Sequence, residues 1–448
     1  ILKKKMNKLN VCLLLGIVEG MTIGLGVDLG TSGVRVTVIK ENGAIIEESK
    51  QAWTPSDGRQ AKCWINSLKS TLNQCTNANC ADRIAVSGTS GTLLAMIGAE
   101  IHREPMMYND AITEGRAMQI IQDLAPAGHV VRSRSSALAK LLNWQLDRPI
   151  KKSERVAHQA DYVAAHLCEQ KPVSDWHNAL KLGFDVNTLD WPPWLFEALD
   201  VAGVPHDVLP QVIEPGSVMG HITKNAAKMF NLREGASLVA GTTDSIAAFF
   251  ACTHDLENLT PGVAVTSLGS TTALKLVSTI RVDDASTGVY SHRLDDKFWL
   301  VGGASNAGTR VLRSFDFDDK ELHSLSTDKN LLSYADVDSD LYYPLIDKGE
   351  RFPINDPNLL PRLPKNDNKD RKRLLANLLV SISRVEQLGY KALADLGAST
   401  LTSVATAGGG AANEPWRHFR AQQLGVPVVQ AQQTDAAYGA AVLALRKL

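Results

Sequence analysis

The chain carries almost no net charge: 47 Lys and Arg stand against 48 Asp and Glu, a formal −1 over 448 residues. No global field therefore draws it to nucleic acid or to anionic lipid, and neither a nucleic-acid partner nor a membrane partner is expected. Cysteine is scarce, with six positions (12, 63, 75, 80, 168 and 252) scattered through a large chain. That usage suits free thiols in a reducing, cytoplasmic setting. Cys75 and Cys80 are the nearest pair, and no Cys–His cluster accompanies them, which argues against a zinc site. Long apolar runs are missing as well, so nothing here spans a bilayer. The opening "ILKKKMNKLNVCLLLGIVEG" imitates a secretory leader. Its apolar run is brief, however, broken by Gly16, and Glu19 stands where small residues should precede cleavage. Residues 1–20 read as an N-terminal extension, with the fold beginning near Met21. Finally, no Gly-x-x-x-x-Gly-Lys-Ser/Thr occurs, which excludes a P-loop. Gly24-Leu25-Gly26 fails as a dinucleotide fingerprint because its sixth position is Leu29.

What is present is a soluble, two-domain composition, 44% hydrophobic and 21% charged. From Met21, "TIGLGVDL", "VRVTVI" and "AIIEESKQAW" predict three antiparallel strands joined by glycine turns. A helix near Trp64–Leu72 and the strand "RIAVSG" follow. Around residue 240 the series restarts: "SLVAGTTDSIAAFFA" reads as strand, loop and helix. "GVAVTSLGSTTALKLV" is then a hairpin whose Leu268-Gly269-Ser270-Thr271 echoes Leu29-Gly30-Thr31-Ser32. The echo is either a duplicated domain or a chance match of a short pattern. "LLANLLVSISRVEQLGYKALADLG" predicts a long amphipathic helix, and "DAAYGAAVLALRKL" closes the chain as a small-residue helix.

Four glycine–hydroxyl turns end predicted strands: Gly30–Gly33, Gly88–Thr92, Gly269–Thr272 and Gly408–Gly410. Glycine permits close backbone approach, and turn amides form anion-binding nests. Each alone is equally an ordinary tight turn. Asp28 stands beside the first turn, where a carboxylate would repel phosphate unless a divalent cation lay between them; it is otherwise a turn-stabilising aspartate. Asp244 sits at a predicted helix start, as an N-cap or as a general base taking a hydroxyl proton.

Together these residues resemble the FGGY family of carbohydrate kinases, within the actin/Hsp70/sugar-kinase superfamily. "GVDLGTSGVRV" looks like its first phosphate motif, "SLGSTTALK" its second, "TAGGGAANEPWRHFRAQQLGVPV" its adenosine motif and "AGTTDSIAAF" its catalytic-aspartate segment. "KGERFPINDP" and the closing "DAAYGAAVLA" are further landmarks. The resemblance implies an α/β protein of two RNase-H-like (actin-like ATPase) domains with a catalytic cleft between them. Residues 21–250 would form the sugar-binding domain and 251–430 the ATP-binding domain, with the helix in 431–448 packing back on the first. Carried over, Asp244 is the general base. Asp28 holds magnesium through water, and Gly30, Thr31, Ser32, Gly33, Arg35, Gly269, Ser270 and Thr271 meet the phosphates of MgATP. Gly303, Gly409, Gly410, Ala411 and Asn413 border adenosine.

The sugar loops depart from the family pattern. Where xylulokinases carry a Gln-Met-His-Gly-like turn, this chain has Ser90-Gly91-Thr92. Where they carry Trp-Asn-Asp-Gly-Arg, it has Tyr108-Asn109-Asp110-Ala111-Ile112. These loops and "SDWHNALKLGFD" look more like a compact subgroup similar to D-ribulose kinase, called xylulose-kinase-like in plants. Ser90, Gly91, Asn109, Asp110 and Asn178, with Lys181 the weakest candidate, are the residues expected at the sugar. The resemblance thus implies an ATP- and Mg2+-dependent kinase whose partners are a pentulose, D-ribulose before D-xylulose, and ATP. The competing class is an ATP-binding sugar sensor that transfers nothing; the retained Asp244 argues against it.

Overall fold

The computed structural model describes residues 21–253, 259–284, 286–336, 342–365 and 370–446. The extension expected at 1–20 lies outside the described residues. In chain order the strands are β1 (Ile23–Gly30), β2 (Gly33–Lys40), β3 (Ile45–Ala52), β4 (Arg83–Gly88), β5 (Leu93–Ile97) and β6 (Glu100–Met106). Then come β7 (Arg155–His158), β8 (Val173–Asp175), β9 (Gln211–Ile213), β10 (Val218–His221) and β11 (Ser237–Thr243). The remainder are β12 (Val263–Leu268), β13 (Thr272–Ser278), β14 (Tyr290–Arg293), β15 (Trp299–Ser305), β16 (Ser403–Ala407) and β17 (Val428–Gln430).

The chain divides into two compact units. One comprises the residues up to 257 and those from 435 on; the other is 258–434. The boundary expected at 250 would cut the helix Asp244–Thr253, whose buried face of Ile246, Ala247, Phe249, Phe250 and Ala251 belongs to the first unit.

Each unit is built on a six-stranded sheet of the same design. In the first the order is β3-β2-β1-β4-β11-β10, and in the second β15-β13-β12-β16-β17 with β14 added beside β15. In both, a hairpin-forming first strand pairs antiparallel with the second on one side and parallel with a later strand on the other, β4 in the first unit and β16 in the second. The echoed Leu-Gly-hydroxyl motifs fall on the same hairpin of each sheet, at the β1–β2 and β12–β13 turns. β1 is buried along nearly its whole length, as a central strand covered on both faces must be. Trp64, Leu68 and Leu72 of helix Ala61–Gln74 cover one face of the first sheet.

Helix Ala436–Leu445 covers the other face. It is buried almost all round, which suits a helix sandwiched between layers. Its approach to β1 is set by glycine: a Cβ on Gly26 would lie 1.9 Å from the Ala437 carbonyl oxygen. On its far side a Cβ on Gly439 would lie 1.7 Å from the Ala247 carbonyl oxygen. Backbone therefore meets backbone across β1, helix 436–445 and helix 244–253, fixing where Asp244 begins its helix. In the second unit the helix Arg371–Asp395 supplies the core face, with Leu374, Leu375, Leu378, Leu379 and Ile382 in one cluster.

Cys63, Cys75, Cys168 and Cys252 are free thiols. Burial pushes the Cys75 thiol up to about 12 and that of Cys168 up to about 11, so neither is a ready nucleophile. Cys80 departs from the free-thiol expectation, being disulfide-bonded; spacing along the sequence carries no information on pairing across a fold.

The Gly439→Ala substitution tests the glycine contact. Its methyl group cannot be accommodated without separating two helix backbones, so a loss of at least ~2 kcal/mol is expected. The denaturant midpoint should fall while the denaturant slope stays unchanged.

Candidate active site

Asp28 is buried, 2% exposed, near the C-terminal end of β1. The sheet register decides its company. Arg35 on β2 and Ser87 on β4 are its direct cross-strand neighbours. The Arg35 guanidinium donates to Asp28 Oδ2 at 3.0 Å, and the Ser87 hydroxyl donates to Asp28 Oδ1 at 2.9 Å. Burial nevertheless raises the carboxyl from an ordinary 3.8 to about 6. The Ser87 hydrogen bond and Arg35 pull it down, while the charges of Asp244 and Asp435 push it further up. Arg35 also reaches Asp435, Nε to Oδ2 at 3.5 Å. At the turn itself Thr31 and Ser32 are exposed, and their carbonyls accept from the Trp53 indole and backbone N–H. Gly33 is not open to a ligand as expected. It is buried, and a Cβ there would lie 2.5 Å from the Gln51 carbonyl oxygen, so its role is to pack β2 on β3.

β1, β4 and β11 are adjacent and parallel, so their C-terminal ends lie on one edge of the sheet. Asp28, the loop after Gly88 and Asp244 all sit at that edge, the usual ligand-binding edge of an open α/β sheet. Asp244 is the first residue of its helix and accepts from the Ser245 N–H at 2.7 Å. A carboxylate there is favoured by the helix dipole. The neighbouring Thr242 hydroxyl meets His177 Nδ1 at 2.7 Å, tying β11 to the short helix Trp176–Ala179.

The loop after β4 is held from beneath by a buried network. Gln159 Oε1 accepts from Thr89 N–H and hydroxyl, at 3.0 and 2.8 Å. Thr92 Oγ1 accepts from the Tyr108 N–H. Lys140, fully buried, donates to Gly91 O and Met107 O, both at 2.7 Å, and so staples this loop to the turn carrying Asn109 and Asp110. Burial brings its ammonium down to about 8. Gly91 has φ +91, a conformation that favours glycine. Ser90 is partly buried and Asn109 exposed. Asp110 is already engaged: Arg59 and the Met107 N–H each donate to its Oδ2 at 2.7 Å, and despite burial these bonds hold its carboxyl below the usual range.

Asn178 lies deeper than a sugar contact should, at 1% exposure, with its amide donating to Asp175 Oδ2 at 2.6 Å. Its Oδ1 has no partner. It therefore belongs to the packing under the loop.

In the second unit, the Gly269 N–H donates to Thr271 O and its carbonyl accepts from Thr309, so Gly269 shapes the turn and leaves the exposed Ser270 and Thr271 at its tip. A cavity of about 300 Å³ opens beside the Gly408–Gly410 turn, lined by Gly409, Gly410, Ala412, Asn413, Ser326 and Trp416 among others. Asn413 caps the helix Glu414–Leu424, and its amide donates to Ser326 Oγ at 2.7 Å. Two expected adenosine residues lie elsewhere. Ala411 is buried and Ala412 takes its place on the wall. Gly303 is buried in β15, where a Cβ would strike the Phe352 ring at 2.5 Å, so it is a packing glycine.

Sequence reasoning missed Lys140, Arg59 and Asp435. Only Lys140 left a signal, as a lone charge inside the apolar helix Ala137–Asp147.

A divalent cation fits this donor set in one way. Asp28 feels the charges of both Asp244 and Asp435 while Arg35 is the counter-charge acting on it, so negative charge is in excess around Asp28. No cluster of three ligating side chains exists among the described residues. Asp28 would thus hold a hydrated magnesium through water, and the phosphates would complete its shell.

The chain matches two family models: the FGGY family of carbohydrate kinases, N-terminal domain, over residues 23–251, and the same family's C-terminal domain over residues 264–448. A gluconokinase of Bacillus subtilis is 22% identical over 461 residues, covering 94% of this chain and 86% of that protein. A xylulose kinase of the same organism is 22% identical over 449 residues, covering 94% and 87%. The crystal structure of a xyloylose kinase from Brucella ovis superposes with TM-score 0.78 at 20% identity, covering 95% of this chain and 90% of that one. The fold is thus the two-unit, actin-like fold of the sugar kinases. No helix among the described residues is long and apolar enough to cross a membrane.

The raised Asp28 carboxyl has a measurable signature in the nucleotide-free protein. A folded value of about 6 against 3.8 means this group favours folding below pH 3.8, and that contribution is lost as pH rises through 6. Ionised Asp28 then costs the fold about 3 kcal/mol at neutral pH. The Asp28→Asn variant should melt above wild type at pH 7.5, with the gap narrowing to about a third by pH 4.5 and closing below pH 3.8. A gap independent of pH would mean the carboxylate is not held at that cost.

Proposed function

The chain belongs to the FGGY family of carbohydrate kinases, and from that premise we propose that it phosphorylates a pentulose, D-ribulose before D-xylulose, using MgATP. One observation carries the reading. Asp28, the Ser90–Gly91 loop and Asp244 share the carboxyl edge of three adjacent parallel strands. An acceptor hydroxyl held against that loop meets a carboxylate positioned to take its proton. The choice of D-ribulose is supported by the sugar loops, which lack the tryptophan and arginine of the xylulokinase pattern.

In this mechanism Asp244 accepts the proton of the terminal hydroxyl as its oxygen attacks the γ-phosphorus, and ADP leaves. The loop held by Lys140 and Gln159 orients the sugar, since rigid placement supplies much of the rate enhancement. Thr31, Ser32, Ser270 and Thr271 offer exposed hydroxyls and turn backbone to phosphate oxygens. Adenosine occupies the cavity beside Gly409 and Asn413. Asp28 would hold magnesium through water, and the bound ion would supply charge neutralisation at the phosphates.

Coupled ADP release with MgATP and D-ribulose, D-xylulose, L-ribulose, glycerol or no sugar tests the reaction. Ribulose-dependent release is expected, and Asp244→Asn should lower kcat by roughly 10²- to 10⁴-fold. Sugar-independent release, equal in both proteins, would replace the kinase by an ATP-binding sensor. The adenosine assignment separates two neighbouring glycines. A Cβ on Gly409 meets nothing within 4 Å, whereas one on Gly410 lies 2.7 Å from the Trp416 ring. Gly409→Ala should weaken ADP binding at unchanged melting temperature, and Gly410→Ala should lower the melting temperature.

A further inference from the structure

Two lysines grip the loop after β4, and they do so differently. Lys140 commits its ammonium to two carbonyls and is sealed from solvent. Lys181, on the 3-10 turn Leu180–Leu182, is only partly buried. Its stem crosses the loop at Gly91, where an added Cβ would lie 3.2 Å from Lys181 Cδ and 3.9 Å from its Nζ. Its ammonium has one acceptor in the chain, Ser90 O at 3.2 Å, and no carboxylate within ion-pair distance among the described residues. An ammonium has three donors and no acceptor. Two N–H groups therefore remain at the loop assigned to the sugar. Burial pushes this ammonium's pKa down and the Asp244 carboxylate pulls it back up, so the two charges sense each other without pairing.

We propose that Lys181 is a specificity-determining residue of the acceptor site, whose two free N–H groups bind the carbonyl oxygen of an open-chain ketose presenting its hydroxyl to Asp244. The inference rests on the acceptor site proposed above. A ketone oxygen only accepts, so it meets a donor-only ammonium with no proton of its own to place. The hydroxyl of the matching polyol also accepts, yet its proton then needs a further acceptor. In a partly dehydrated site an unplaced O–H is penalised. The pairing of a donor-only Lys181 with an acceptor-only Asp244 thus selects the ketose over the polyol of the same carbon skeleton.

Calorimetric titration of D-ribulose and ribitol into the nucleotide-free full chain tests this apart from catalysis. Wild type should bind D-ribulose at least ~10-fold more tightly than ribitol. Lys181→Met, which keeps the stem's bulk, should weaken ribulose binding roughly 10- to 100-fold, the range for a hydrogen bond to a charged group. Ribitol affinity, ADP affinity and melting temperature should not move, so the preference collapses. Lys181→Arg, which restores a donor, should recover part of it. An unchanged ribulose-to-ribitol ratio in Lys181→Met overturns the inference even if ADP release shows the kinase reaction intact. A wild-type chain that binds no ribulose overturns it too. Lys181-dependent ribulose binding without ADP release supports it and fails the kinase reading instead.

Discussion

Three layers of backbone in direct contact hold the first unit's charges where they repel one another. Helix 436–445 lies on β1 through Gly26 and on helix 244–253 through its own Gly439, with no side chain intervening. Contacts this close fix Asp28 on β1, Asp435 at the cap of helix 436–445 and Asp244 at the start of helix 244–253 within electrostatic reach. Like charges so arranged would spread if side chains with freedom to repack lay between them. Packing of buried apolar surface offsets the repulsion, and at Asp28 that repulsion adds to the larger effect of burial. A destabilised ionised group at a ligand edge is usual where a cation is to be bound, because the free protein carries a charge excess that the ligand relieves.

The second unit shows the alternative treatment of buried charge on the same sheet design. Arg420 and Glu386 are both almost fully buried, joined by two hydrogen bonds of 2.6 Å. Thr266 of β12 donates to the same carboxylate, and Arg420 donates on to Thr406 of β16. Every charge in that cluster is met inside the chain, so it serves architecture and offers a ligand nothing. At the position where β1 carries Asp28, two residues before the turn glycine, β12 carries Ser267. The two turns therefore close equivalent hairpins and differ in charge.

How much of this was legible in the sequence follows from what each feature is made of. Strand order, the hairpin turns and the long helix Arg371–Asp395 depend on periodicity and turn residues, which are local. So is the glycine-rich edge of the second unit, although Gly303 and Gly410 show that glycine marks close packing as readily as a ligand contact. The supports of the sugar loop were not legible. Lys140 acts on Gly91 from 49 residues away and Gln159 on Thr89 from 70. Arg59 occupies Asp110 from 51 residues away. No window of sequence contains both ends of such bonds. Asn178 misled for the same reason: its amide type suits a sugar, and only the fold shows that Asp175 already holds it.

The same division explains how acceptor choice can drift while the reaction is kept. In the proposed reaction phosphate and nucleotide would be met largely by turn backbone, whose requirement is glycine at a few positions. The acceptor would be met at the loop after β4 and the neighbouring turn that carries Asp110, and these rest on partners drawn from four other segments. Replacing one contact there changes which hydroxyls are satisfied without disturbing Asp244 or the β1 turn. Because an unmatched polar group in a dehydrated site is penalised far more than a missing apolar contact, a single exchange of the kind proposed at Lys181 would be enough to move preference between a ketose and its polyol.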